Sequence, residues 1–161
     1  DITLDDIYSV HPFGNTMCVI RVTGQQVLDA LEWGARAVPS ENGGFLQVSG
    51  LTYEIHTGVA SSAEKDENGM FTRVSGEYRV KNVMVGGQPL ELDKTYTLAS
   101  HNYMLLGHGD GYTMFDGCEV LGEDMMVDNQ VLITYITTTL GGVVGEQYAN
   151  PYGDGRIVAV E

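Results

Sequence analysis

The run Thr16-Met17-Cys18-Val19-Ile20-Arg21-Val22 is apolar, rich in β-branched residues and short enough to be one strand. Behind it, Thr23-Gly24-Gln25-Gln26 has the form of a capping box, which opens an amphipathic helix with Val27, Leu31 and Gly34 on one face. Upstream, Thr3 precedes Leu4-Asp5-Asp6, an N-cap followed by the acidic turn that suits a helix N-terminus, and Pro12 ends that short helix. Downstream, residues 39–44 read as a loop, and residues 45–56 alternate as a strand that begins at Phe45. Residues 58–76 are polar and aperiodic, which predicts a surface loop or a loose hairpin tip of small functional weight.

Residues 78–85 and 88–92 flank Gly86-Gly87, a dipeptide able to take the positive φ values of a tight turn, so a β-hairpin is expected there. A strand over 94–102 and a glycine-rich loop over 106–112 follow. A capped helix over 128–140 has Val131, Tyr135 and Thr138 on one side, and a last strand covers 156–160. Hairpins mixed with helices that do not alternate strictly with strands predict an α+β fold. The expectation is a single domain in which a mixed and antiparallel sheet with hairpins packs against a few helices.

Composition narrows the function classes. The 161 residues carry 43% hydrophobic side chains, enough for one real core and too few residues to suggest two. Eight Lys and Arg against 22 Asp and Glu give a formal charge of −14, which repels nucleic-acid backbones and anionic membrane surfaces at long range. No apolar run approaches the roughly 20 residues of a membrane span. The first residues, Asp1-Ile2-Thr3-Leu4-Asp5-Asp6, lack a basic and then apolar signal pattern, so the chain reads as a piece of something longer. Cys18 and Cys118 form no CxxC pair; Cys18 is expected as a buried, inert thiol, and a disulfide between the two stays open.

The densest polar cluster is Ser100-His101-Asn102-Tyr103 followed by Gly107-His108-Gly109-Asp110-Gly111-Tyr112. The glycines let a ligand approach the backbone closely, and the Asp110 carboxylate can accept hydrogen bonds from the vicinal hydroxyls of a ribose. On spacing alone the same residues suit better a tight loop whose Asp110 holds its own backbone amides. His101 and His108 stand seven apart on an irregular segment without a second ligand cluster, and His11 and His56 are isolated, so a metal site is not indicated. No GxSxG, HExxH, Walker or GxGxxG pattern occurs. Phe45 and Tyr103, each at a junction of strand and loop, could hold a planar ligand by stacking or could fill the core.

In order, Pro12-Phe13-Gly14-Asn15, Gly44-Phe45-Leu46-Gln47-Val48-Ser49-Gly50, Leu98-Ala99-Ser100-His101-Asn102-Tyr103, Gly109-Asp110-Gly111-Tyr112 and Gly155-Arg156-Ile157 make the chain resemble the C-terminal domain of the 5′-nucleotidase family nearly end to end. The resemblance implies the substrate-specificity half of a hydrolase of nucleotide phosphoesters. Phe45 and Tyr103 would be the rings that clamp the base, and Asp110 the carboxylate on the ribose. It further implies no cofactor in this chain and two divalent metal ions in an N-terminal metallophosphoesterase domain of the same polypeptide. A nucleotide or nucleoside would be the small-molecule partner, and an extracellular, periplasmic or cell-wall location would follow. Two departures stand out: His108 lengthens the spacing between Tyr103 and Asp110 by one residue, and the family's NGGxxR segment is not found ahead of Ile2-Thr3-Leu4. The domain is therefore expected to lack its first strand and helix. Two other readings stay open: a non-catalytic surface-interaction module, and the same role in a cyclic-nucleotide or nucleotide-sugar hydrolase.

Overall fold

The computed structural model describes residues 1–151 and 153–161. The expected α+β architecture is found, with strands in three sheets around a central helix. Strand β1 (Met17–Thr23) pairs antiparallel with residues 95–101 on one side and 119–122 on the other. Its sequence is almost uniformly apolar, yet burial alternates strictly: Cys18, Ile20 and Val22 are enclosed while Arg21 and Thr23 face out. Helix α2 (Gly24–Ala35) starts directly from β1 through the predicted box, in which the Thr23 hydroxyl accepts from the Gln26 amide and Gln26 returns the bond to the Thr23 amide. Its buried Val27, Leu31 and Gly34 include the predicted face, and Trp33 is buried beside them.

A second sheet has the order β6-β5-β2-β9: β2 (Leu51–His56), β5 (Val80–Val85), β6 (Gln88–Pro89) and β9 (Ile157–Val160). Here β9 runs parallel to β2 and the other pairs are antiparallel. Gly86 and Gly87, at φ 57° and 77°, form the expected hairpin turn. The hairpin's second strand is shorter than the pattern predicts, covering Gln88–Pro89 with one further bond from the Leu90 amide to the Val83 carbonyl at 2.9 Å. The two antiparallel strands β3 (Ala63–Lys65) and β4 (Phe71–Val74) give residues 58–76 more order than their polarity suggests. The Asp66 carboxylate closes the turn between them by accepting from the amides of Asn68 and Met70. Phe71, buried, meets the Trp33 ring edge-on at 5.7 Å.

Three predicted elements need correction. The strand expected over 45–56 exists only from Leu51; residues 45–50 run over the core without a ladder and end at Gly50, φ 78°. Their alternation arises because Leu46 and Val48 dip against the core while Gln47 and Ser49 face solvent. The helix over 128–140 divides into α4 (Asp128–Thr134) and a π turn (Tyr135–Thr139), and its N-cap, Val127, makes no side-chain cap. The strand over 94–102 is β7 (Thr95–His101), and a short helix, α3 (Asn102–Leu105), follows it unannounced. Helix α1 (Leu4–Val10) and β8 (Glu119–Gly122) complete the frame. Cys18 and Cys118 are both free thiols.

Candidate functional site

The C-terminal end of α2 organises the site. Trp33 is fully buried, and its one polar atom, Nε1, donates to the Asp110 carbonyl at 2.9 Å. The Arg36 guanidinium lies 3.7 Å above the Trp33 ring and donates from Nη1 to the Trp33 carbonyl at 2.6 Å. Asn42 ties the next turn to the same helix end: its amide donates to the Gly34 carbonyl and its oxygen accepts from the Gly44 amide. The buried Tyr112 hydroxyl donates to the Gly44 carbonyl, and burial pushes that phenol far above its ordinary pKa, so it remains a neutral donor. The Gly109-Asp110-Gly111-Tyr112 loop and the Gly43-Gly44-Phe45 turn, far apart in sequence, are thus fixed to one scaffold.

Asp110 sits in the left-handed region at φ 54°, in a turn closed by the Gly111 amide on the His108 carbonyl at 2.9 Å. That conformation costs a non-glycine residue roughly 1–2 kcal/mol, and the bond from Trp33 holds it. The side chain is exposed and lies along Gly44, where an added Cβ would stand 2.9 Å from the Asp110 Cβ. Among the described residues, its carboxylate accepts no hydrogen bond. The structure therefore corrects the reading in which Asp110 holds its own backbone amides: the carboxylate is left free.

Tyr103, on α3, is half-exposed, with its ring against Gly109; a Cβ on that glycine would stand 2.2 Å from the ring. Glycine at 109 is what allows ring and turn to touch. Two glycines therefore bring the sequence-predicted residues together, Gly109 joining Tyr103 to Asp110 and Gly44 joining Asp110 to Phe45. Phe45 itself is half-buried, packed against the core, with its amide on the Asn42 carbonyl at 3.0 Å. Among the described residues it makes no ring contact with Tyr103, whose ring instead meets His101 at 6.0 Å and 37°.

The sequence reasoning assigned no role to Phe13. It is 85% exposed, the highest value among the described large apolar side chains. Shortly after the turn that carries it, Thr16 is tied to Asn102, which accepts from the Thr16 amide at its side-chain oxygen and donates its own amide to the Thr16 carbonyl. Pro12 and Gly14, the latter at φ 68°, flank Phe13, which marks the segment as a turn in the sequence but does not by itself set the exposure of the ring. Trp33, Arg36 and Asn42 were missed as well, since their roles depend on tertiary contacts.

The histidines serve the frame. His101 caps α3 by accepting from the Met104 amide, His108 meets Asp116, His56 pairs with Glu54 at 3.0 Å, and His11 lies 3.7 Å from Asp128. No group of three or more His, Cys, Asp or Glu side chains is placed to hold a metal among the described residues. The donors of this chain do not fit a two-metal centre.

Comparison with known proteins places the chain in a family. The family profile of the 5′-nucleotidase C-terminal domain matches residues 1–117. The trifunctional nucleotide phosphoesterase protein YfkN of Bacillus subtilis is 32% identical over 99% of this chain and 10% of its own length. The 5′-nucleotidase of Vibrio cholerae is 30% identical over 84% of this chain and 21% of its own. Among solved structures, the 5′-nucleotidase precursor of Thermus thermophilus superposes with a TM-score of 0.77 at 30% identity, covering 99% of this chain and 28% of that one. The chain thus spans between a tenth and about a quarter of the length of these relatives. It belongs to the 5′-nucleotidase C-terminal domain family.

Proposed function

We propose that this chain is the nucleoside-recognition part of a 5′-nucleotidase-type phosphoester hydrolase, binding the base at Tyr103 and the ribose hydroxyls at Asp110. The observation that carries the reading is the free Asp110 carboxylate, held in a strained turn by Trp33 and flanked by an exposed ring. A carboxylate accepts two hydrogen bonds from vicinal hydroxyls, and an aromatic face adds about 1 kcal/mol of stacking. Phe45 is the second ring expected from the family resemblance; it is half-buried and lines a surface recess with Asn42, Gly43 and Gln47. Phe13 is a further candidate ring: it is almost fully exposed, in a turn whose following residue, Thr16, is hydrogen-bonded to Asn102.

Phosphoester cleavage would belong to a further domain of the longer polypeptide holding the two divalent ions, because the donors here do not fit them. The part played by this chain is to bind the nucleoside moiety and present the phosphate. A strand and helix supplied from outside these residues would complete the site, and a location outside the cytoplasm accords with the role. Titrating the chain with adenosine while following the fluorescence of its one tryptophan, Trp33, tests the reading. A saturable change is expected in the wild type, lost in Tyr103→Ala and Asp110→Asn. Loss in Phe13→Ala with retention in Phe45→Ala selects the exposed ring, and the reverse selects Phe45. A flat titration in the wild type contradicts the proposal and returns the chain to the surface-interaction reading.

A further inference from the structure

Arg36 differs from most cations of this acidic chain, and from exposed Lys65, which likewise has no ion pair among the described residues, by being half-buried. Arg21, Arg73, Lys81, Lys94 and Arg156 each pair with a carboxylate on the surface. Arg79 is buried on the carbonyls of Ala35 and Val38. Arg36 is half-buried, and no carboxylate lies within ion-pair distance of it among the described residues. Among the described residues its side-chain hydrogen bond and its ring contact are both with Trp33, the carbonyl beside it and the ring below it. A guanidinium over an indole is attracted to the ring face, and its bond to the Trp33 carbonyl holds it there. The same indole donates the bond that holds the Asp110 carbonyl.

We propose that Arg36 is a positioning residue for Asp110: stacked on Trp33, it keeps the indole donor on the Asp110 carbonyl and so holds the turn whose carboxylate meets the ribose hydroxyls. This rests on the nucleoside reading above and adds the residue that sets its preference for ribose. The competing explanation is that Arg36 merely terminates α2, where a cation suits the negative helix end.

Two variants, Arg36→Met and Arg36→Lys, are compared for binding of adenosine and of 2′,3′-dideoxyadenosine. Arg36→Met is expected to weaken adenosine about tenfold and the dideoxy compound less than about twofold, with Arg36→Lys recovering part of the loss. Equal weakening of both compounds, or of neither, overturns the proposal. A second measurement needs no ligand: hydrogen exchange of the Trp33 indole N–H, which Arg36→Met should accelerate at an unchanged melting temperature. An indole exchanging at the wild-type rate overturns the proposal as well. A wild type that fails to bind adenosine removes the nucleoside reading and still leaves the indole exchange to decide whether Arg36 holds the turn.

Discussion

Replacing Gly109 by alanine perturbs the site at its tightest contact. The new methyl would stand 2.2 Å from one Tyr103 ring carbon and 2.3 Å from the next, well inside van der Waals contact. Gly109 is buried and its turn is held by Trp33, whereas Tyr103 is half-exposed, so the ring is the group that yields. Swinging it into water forfeits about half of an aromatic side chain's burial, on the order of 100 Å², which at about 25 cal/mol per Å² bounds the cost near 2.5 kcal/mol. Partial relaxation brings the expected loss to about 1–2 kcal/mol, or about 2–8 °C in melting temperature for a domain of this size. The control is Gly58→Ala, where nothing lies within 4 Å of the added carbon and φ is not positive. It should leave the melting temperature unchanged or raise it slightly. Thermal unfolding of both variants, followed by circular dichroism, provides the comparison. A Gly109→Ala protein as stable as the Gly58→Ala protein would refute the Tyr103–Gly109 contact and with it the proximity of ring and carboxylate.

Three further outcomes follow from the same structure. Glu32 is wholly buried, its Oε1 finds no partner among the described residues, and burial raises its pKa above the ordinary 4.5, with amides of Val80 and Arg79 offsetting part of the effect. Its folded pKa exceeds its unfolded one, so its stabilising contribution is complete at acid pH and is lost as pH rises through the elevated value. Glu32→Gln should therefore gain stability relative to wild type as pH increases, and denaturant titrations across pH 4–8 that ran parallel would count against a buried charged group there. Gln26→Ala removes the reciprocal half of the α2 capping box and the bond to the Met114 carbonyl, with an expected cost of about 1–2 kcal/mol by urea unfolding. For the cysteines, a thiol reagent should label partly exposed Cys118 slowly in the native state and reach Cys18 only on unfolding; equal native rates would contradict the packing of β1.

Much of the frame was legible in the sequence because it is encoded locally. The capping box at Thr23 to Gln26, the Gly86-Gly87 turn and the Thr3 cap each depend on residues within a few positions of one another, and all three are present. The misreadings have tertiary causes. Residues 45–50 alternate in polarity like a strand but have no neighbouring strand to pair with, so periodicity alone mistook an extended segment for a ladder. Residues 58–76 looked formless, yet Phe71 is anchored by Trp33 and Thr113 donates to its carbonyl. At the site, Asp110 and Tyr103 could be chosen from glycine spacing and resemblance. What the sequence could not show is that Gly44 and Gly109 are the contact points, that the only tryptophan holds the Asp110 turn, or that Phe13 is exposed while Phe45 is half-buried. Those facts depend on which elements pack together, and no short-range pattern records them.

The central claim is that Tyr103 and Asp110 receive a nucleoside, and a structure of the chain bound to adenosine tests it most directly. The account predicts the base against the Tyr103 ring, with the ribose hydroxyls within hydrogen-bond distance of the Asp110 carboxylate and the Trp33 bond to the Asp110 carbonyl retained. Adenosine bound elsewhere, as in the apolar groove between α2 and β7 lined by Leu46, Val48 and Leu98, with Asp110 still free, would contradict it.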